Sequence, residues 1–320
     1  MLVANRANLD DATTWALPIF SGINFLINSR FVSSVSNSIN NISAHYDIPH
    51  EIFGSFLSKD MTYSCAIFES NDEPLEIAQY RKLDKVIRQA RIQASDHVLE
   101  IGSGWGSFAI RAVTTTGCKV TTLALSIEEK TLADEGIRGA GLEHRINVLL
   151  CDYKHHVSAE SYDKVVSIEM IEAVGEEFLD SYFAKVNQLL KKDGGIAVFQ
   201  VITMPETRYE RYCRNVDFVQ KWVIVRSSQR NAEMQIFPGG HWPTVSALVS
   251  SINWGSDGSL IVDRIENIGG HYAFTLCKWR EQFLANFDTE IVPALRKRAK
   301  MDGKDISDEE IFIFKRKWEV

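Results

Sequence analysis

The chain has 320 residues, 45% of them apolar, enough to bury one large core with appended helices. Its 35 Lys and Arg against 42 Asp and Glu give a formal charge of -7 with no strongly basic block, which argues against nucleic acid as a partner. The 5 cysteines, Cys65, Cys118, Cys151, Cys213 and Cys277, are scattered and form neither a disulfide framework nor a C-x-x-C metal pair; no metal site is expected, and a reducing, cytoplasmic compartment fits best.

In chain order, the first apolar run is Trp15 to Val32, with Phe20, Ile23, Ile27 and Phe31 at helical spacing. Asn24 and Asn28 interrupt it, and it is too short and polar to span a bilayer. It also lacks the basic start and cleavage site of a signal peptide. It reads as a helix packed in the core or in a cap; the alternative is an interfacial helix that would make the protein peripheral to a membrane. Residues 1–60 are assigned to an N-terminal helical cap and 61–320 to the main domain.

From Ser95 strand and helix alternate. The pattern predicts strand at His97–Ile101, helix at Trp105–Thr116, strand at Cys118–Ala124, and helix at Ile127–Ala140 with Ser126 as N-cap. Strands follow at Arg145–Leu150 and Tyr162–Ile168, then a helix at Glu177–Leu190 and a strand at Gly195–Ile202. This alternation specifies an α/β fold, a doubly wound parallel sheet with ligands at the C-terminal ends of its strands. Residues 203–247 read as an irregular lid or insertion.

The most informative stretch is Glu100 to Gly106, an acid near a strand end followed by glycines at alternate positions. Gly102 suits the sharp turn, Gly104 leaves room for a ligand, and Gly106 lets the next helix pack closely on the strand. A dinucleotide fingerprint would want a glycine at Ser107 and an acid at the end of the second strand, which instead ends in Leu123, Ala124 and Leu125. A tight turn with no ligand is the plain alternative. The pattern E-x-G-x-G-x-G resembles motif I of the class I (Rossmann-like) S-adenosylmethionine-dependent methyltransferases, whose loop cradles the methionine half of the cofactor.

Further segments extend the likeness: His45-Tyr46-Asp47, residues 61–66 (M-T-Y-S-C-A), Cys151-Asp152-Tyr153, residues 167–172 (S-I-E-M-I-E), residues 236–240 (I-F-P-G-G) and residues 266–272 (E-N-I-G-G-H-Y). Taken in this order, from about residue 40 to the end, they resemble the cyclopropane-fatty-acyl-phospholipid synthases. The resemblance implies attack of a cis double bond on the cofactor's methyl group, a carbocation, and proton removal by a bound bicarbonate. A methyl branch or methylidene results if the cation is resolved otherwise. It implies an unsaturated phospholipid or acyl substrate at a membrane surface, and is compatible with a homodimer.

Carried over by position, Cys65, Glu172, Gln200, Ile202 and Tyr272 would surround the bicarbonate. Glu172 and Tyr272 would hold it by hydrogen bonds, Cys65 and Ile202 would add backbone groups and shape, and Gln200 stands where some members have His. The cofactor would be lined by Tyr63, Ser64, Glu100, Gly102, Gly104, Gly106, Glu129, Asp152, Tyr153 and Ile168, with Asp152 accepting from the adenine amino group. Each has a plainer reading. Cys65 can be a small buried hydrophobe, Glu172 a helix N-terminal charge and Tyr272 a core tyrosine, while His155-His156 reads as loop surface rather than a metal site.

Two departures from the family pattern stand out. Val223 to Gln235 intervenes before I-F-P-G-G and is expected to be dispensable. The family's closing strand has no counterpart, so the strand expected at Leu260–Ile268 would lack its partner. The readings left open are lipid methyl or methylene transfer, small-molecule N-methylation of the alkaloid type, and a truncated, catalytically inactive cofactor-binding protein.

Overall fold

The computed structural model describes residues 50–214, 240–301 and 303–319. The run from Trp15, the His45-Tyr46-Asp47 motif, residues 223–235 and most of I-F-P-G-G lie outside the described residues. Five apolar, β-branched segments form strands β1 (His97–Ile101), β2 (Lys119–Ala124), β3 (Ile146–Leu150), β4 (Lys164–Ile168) and β5 (Ile196–Gln200). All pair in parallel in the order β3-β2-β1-β4-β5. Each lies within its expected segment. Tyr162 does not open β4 but makes an isolated bridge to Leu190. The order turns back between β1 and β4, so the loops leaving those strands diverge and open a crevice.

The helices are α1 (His50–Phe56), α2 (Leu75–Gln89), α3 (Ser107–Thr116), α4 (Ile127–Gly139), α5 (Leu179–Leu189), α6 (Glu206–Arg214), α7 (Val245–Gly255), α8 (Gly270–Asn286), α9 (Val292–Met301) and α10 (Asp308–Trp318). Side chains alternate across the sheet. Val98, Val120, Val148 and Val166 pack beneath α2, α3 and α4. Leu99, Ile101, Leu123 and Val165 pack on the other face against α5, with Leu248 and Ile252 of α7 alongside. Helix α4 starts with a capping box: the Glu129 N–H donates to Ser126 Oγ (3.0 Å), and Glu129 Oε2 accepts from the Ser126 N–H (3.4 Å). Helix α3 begins at Ser107 rather than Trp105, because Gly106 has φ +89°, outside the helical region.

A third cluster joins α1 to α8, α9 and α10. The Phe53 ring lies 5.4 Å from Tyr63, 5.3 Å from Trp105 and 6.0 Å from Trp318. The described end of the cap therefore shares its core with the C-terminal helices. A π-helical turn, Phe287–Ile291, precedes α9. Pro293 has no N–H to give the Thr289 carbonyl, so the helical ladder is reset there.

Residues 260–268 correct an expectation. They form no regular element and no strand pairing, and Ile261 is 88% exposed. A strand exists only through its ladder. Strand β5 is the sheet edge, and no described strand lies beyond it for this segment to join. An ion pair between Lys85 and Glu266 ties the segment to α2 instead. Part of the region expected to be irregular is also ordered. On α6, Tyr212 stacks on Trp242 at 6.2 Å, and Tyr209 donates to Glu176 Oε1 at 2.8 Å.

Helices α5 and α7 meet backbone to backbone. A Cβ added at Gly255 would stand 2.2 Å from the Asp180 carbonyl oxygen. Gly255→Ala should therefore destabilise the fold by about 1–3 kcal/mol. A thermal midpoint equal to that of the wild type would show that the two helices part freely.

Candidate active site

The loop after β1 turns through positive φ at Gly102 (+94°), Gly104 (+48°) and Gly106 (+89°). The Gly102 and Ser103 N–H groups donate to the Leu123 carbonyl at 3.2 and 2.9 Å, pinning the loop to the end of β2. A Cβ added at Gly104 meets no atom within 4 Å. The open side of the loop is thus at Gly104, a cradle that a side chain would fill. One added at Gly106 would lie 3.4 Å from the Ala133 Cβ, so Gly106 serves the contact of the loop with α4 rather than with the strand. Beneath the loop, Glu100 is buried with Oε2 unpartnered, and burial pushes its pKa up to about 8. A backbone cradle above a buried acid fits a cofactor with an amino-acid moiety such as S-adenosylmethionine.

The other residues expected at the cofactor divide. Ile168 ends β4 beside the loop. Ser64 is buried, its Oγ accepting from Lys82 Nζ (2.6 Å) and its carbonyl from Gln79 Nε2 (2.8 Å). Tyr63 faces the aromatic cluster, 5.1 Å from Trp279. Glu129 caps α4 with its carboxylate, also accepting from the Leu125 N–H at 3.2 Å. Asp152 stands at the exit of β3 and accepts from the Lys154 N–H at 2.9 Å. Tyr153, however, is turned into the core, its ring 5.0 Å from Tyr182 of α5. His156 departs from the surface reading as well: it is buried, with Nε2 2.9 Å from the Tyr162 hydroxyl. Among the described residues no cluster could hold a metal ion.

At the exit of β4 two carboxylates stand close together. Glu169 takes φ +49°, a left-handed conformation uncommon for a residue with a Cβ, and its N–H donates to the Gln200 carbonyl (2.8 Å). Its Oε1 accepts from the Cys65 N–H (2.9 Å) and Gln200 Nε2 (2.8 Å), and its Oε2 accepts from the Tyr272 hydroxyl (3.2 Å). Glu172 Oε1 accepts from the Ile202 N–H (2.5 Å), while its Oε2 is buried without a partner. Of the five residues expected around one anion, Glu172 is bonded by Ile202, while Cys65, Gln200 and Tyr272 bond Glu169. Tyr272 bonds Glu169, not the neighbourhood of Glu172. Glu169 was missed as a site residue, although it lies inside the S-I-E-M-I-E motif at the end of a buried strand.

Burial sets the charges here. It pushes Glu172 up to about 8, with the Glu169 charge adding to the rise. Glu169 is itself raised by burial, against the pull of its donors. Burial also pushes the Cys65 thiol up to about 12, so that residue acts through its backbone and not as a thiolate. The Tyr272 phenol is raised by burial and by Glu169, which keeps it a donor. Lys82, fully enclosed on α2, is lowered to about 8 by burial while Glu169, Asp60, Cys65 and Glu100 pull the other way. It too was missed. The signal was a polar pair, Gln79 and Lys82, within the otherwise apolar buried stripe of α2.

A family model described as mycolic acid cyclopropane synthetase matches residues 33–301. Tuberculostearic acid methyltransferase UfaA1 of Mycobacterium tuberculosis is 39% identical over 255 residues, 78% of this chain and 55% of that protein. The cyclopropane-fatty-acyl-phospholipid synthase of Escherichia coli K12 is 32% identical over 241 residues, 75% of this chain and 56% of that protein. The chain therefore spans just over half the length of these curated relatives. The crystal structure of mycolic acid cyclopropane synthase CmaA1 complexed with SAH and CTAB matches with a TM-score of 0.70 at 26% identity, covering 88% of this chain and 91% of that one.

Two outcomes test this geometry. Gly104→Val should fill the cradle and abolish S-adenosylmethionine binding by calorimetry; unchanged affinity would place the ligand elsewhere. The second concerns pH. From the ordinary carboxylate range up to about 8, folded Glu100 and Glu172 hold protons that the unfolded chain has released. Stability should fall as pH rises through that window, by up to about 1.4 kcal/mol per pH unit for each proton. Lys82, with its folded pKa lowered to about 8, acts with the opposite sign but only above it. Urea midpoints that stay level between about pH 5.5 and about pH 8 would contradict neutral buried acids.

Proposed function

We propose that this chain, which belongs to the mycolic acid cyclopropane synthetase family, transfers a one-carbon unit from S-adenosylmethionine to the cis double bond of an unsaturated acyl chain carried by a phospholipid. The observation that carries this reading is the pair of enclosed carboxylates, Glu169 and Glu172, where β4 leaves the sheet beside the glycine loop. A nucleophilic amine needs only a proton acceptor. A double bond that attacks a methyl group becomes a cation, and a cation needs negative charge nearby and water kept away.

The described residues supply both. The Met170 side chain, next after Glu169, would stand 3.1 Å from a Cβ at Gly102, so the acid and the loop share one corner of the crevice. Tyr63, Tyr272 and Trp279 form an aromatic wall beside it, with the Tyr272 and Trp279 rings 6.4 Å apart. When bound, S-adenosylmethionine supplies an activated methyl on a sulfonium. The chain's own residues then cradle the cofactor at Gly102 and Gly104, hold charge at Glu169 and exclude water with the aromatic wall. The relatives support an acyl substrate by their names, which include a cyclopropane-fatty-acyl-phospholipid synthase and a tuberculostearic acid methyltransferase. Among the described residues no helix is long and apolar enough to cross a membrane.

Incubation with S-adenosylmethionine and vesicles of a monounsaturated phospholipid, followed by mass spectrometry of the acyl chains, tests the proposal. The expected product carries one added methylene on the acyl chain. Methyl label appearing on an added amine while the acyl chains stay unmodified would overturn it in favour of N-methylation.

A further inference from the structure

The geometry points to Glu169 as the built-in base of the reaction, its carboxylate standing where the resemblance implies a bound bicarbonate. Of the residues expected around that anion, Cys65, Gln200 and Tyr272 each give their donor to Glu169. The backbone donor of Ile202 is taken by Glu172. A second anion at the same donors would face a carboxylate at contact distance, and two like charges at that range do not both stay ionised away from water. The site therefore does not fit a bicarbonate, because the chain has put a carboxylate of its own there.

Three features support the assignment. The groups that meet Glu169 are an N–H, an amide NH2 and a phenol held in its protonated form, so the carboxylate is bonded only as an acceptor. Its backbone is bent to φ +49°, and strain of this kind persists where the surroundings over-determine it. Here the bend is held by donors from three distant segments. Lastly, Glu169 follows the final residue of β4 at the crevice and precedes the residue that touches the cofactor loop.

The inference rests on the acyl-chain reading above. The π pair of the double bond forms a C–C bond to the donated methyl carbon while the C–S bond breaks, its pair staying on sulfur, and the acyl chain becomes a cation. A C–H bond of the new methyl group then breaks. Its proton passes to a carboxylate oxygen of Glu169, and its electron pair closes the three-membered ring. No co-reactant is consumed, and the proton leaves to solvent when Glu169 is regenerated.

The test uses labelled bicarbonate and two variants. Carbon-13 NMR should show no saturable binding of bicarbonate to the wild type. Glu169→Gly frees the donors and suits a φ of +49°, so it should fold and should bind bicarbonate. With monounsaturated phospholipid vesicles, wild-type turnover should be equal in bicarbonate-depleted and supplemented buffer. Glu169→Gln should lose about 100-fold in turnover with the KM for S-adenosylmethionine little changed. Bicarbonate should restore Glu169→Gly on the order of tenfold. Saturable binding to the wild type, bicarbonate-dependent wild-type turnover, or full turnover by Glu169→Gln would each overturn the inference. If the wild type modifies no acyl chain, the acyl-chain reading fails alone, and the bicarbonate titration still decides whether Glu169 fills the anion site.

Discussion

A carboxylate drawn away from water must be given donors or give up its charge, and at Glu169 those donors come from three segments distant in sequence. Cys65 lies in the segment before α2, Gln200 ends β5, and Tyr272 is in the first turn of α8. The contact is reinforced on either side. The Ala66 N–H donates to Thr275 Oγ1 (3.1 Å) and the Phe68 N–H to His271 Nδ1 (3.3 Å), so residues 65–68 run along the first turns of α8. The helical layer is thereby registered against the C-terminal edge of the sheet.

Such an arrangement is unfavourable for folding on its own. Glu100, Glu169, Glu172 and Lys82 are all enclosed, and each is shifted toward its neutral form by burial. The unpartnered oxygens of Glu100 and Glu172 add to the cost. Clusters of this kind are concentrated at sites that do chemistry. The large apolar clusters on both sheet faces, with close approaches such as α5 against α7, offset the expense.

The sheet was legible in the sequence because each strand is a short buried run with its own punctuation, and parallel pairing needs little else to be specified. The α4 cap was equally plain, since Ser126 and Glu129 sit at capping-box spacing. What failed depended on partners. Residues 260–268 have strand-like composition, but a strand needs a neighbour's ladder and none is described there. Tyr153 follows Asp152 in the motif, yet the turn after β3 sends its ring into the core beside Tyr182. That the Tyr272 hydroxyl meets Glu169 turns on a single backbone angle. A left-handed residue other than glycine leaves no mark in a pattern of residue types, and at Glu169 it turns the nearer acid, not the farther one, into the donors. Lys82 was hidden because a lysine on a helix reads as a solvated face until the packing of α2 is known.

Trp105 sits in the middle of the glycine loop, yet its ring belongs to the cap, packed against Phe53 of α1. The backbone that would cradle a cofactor and the side chain that anchors the helical layer are thus parts of one five-residue turn. Local opening of that layer cannot leave the turn undisturbed. By reciprocity, whatever steadies the turn from the crevice side disfavours the open form of the helices outside it, and loosening those helices weakens ligand affinity by the same factor. A ligand in the cradle and the packing of the helical layer therefore favour one another.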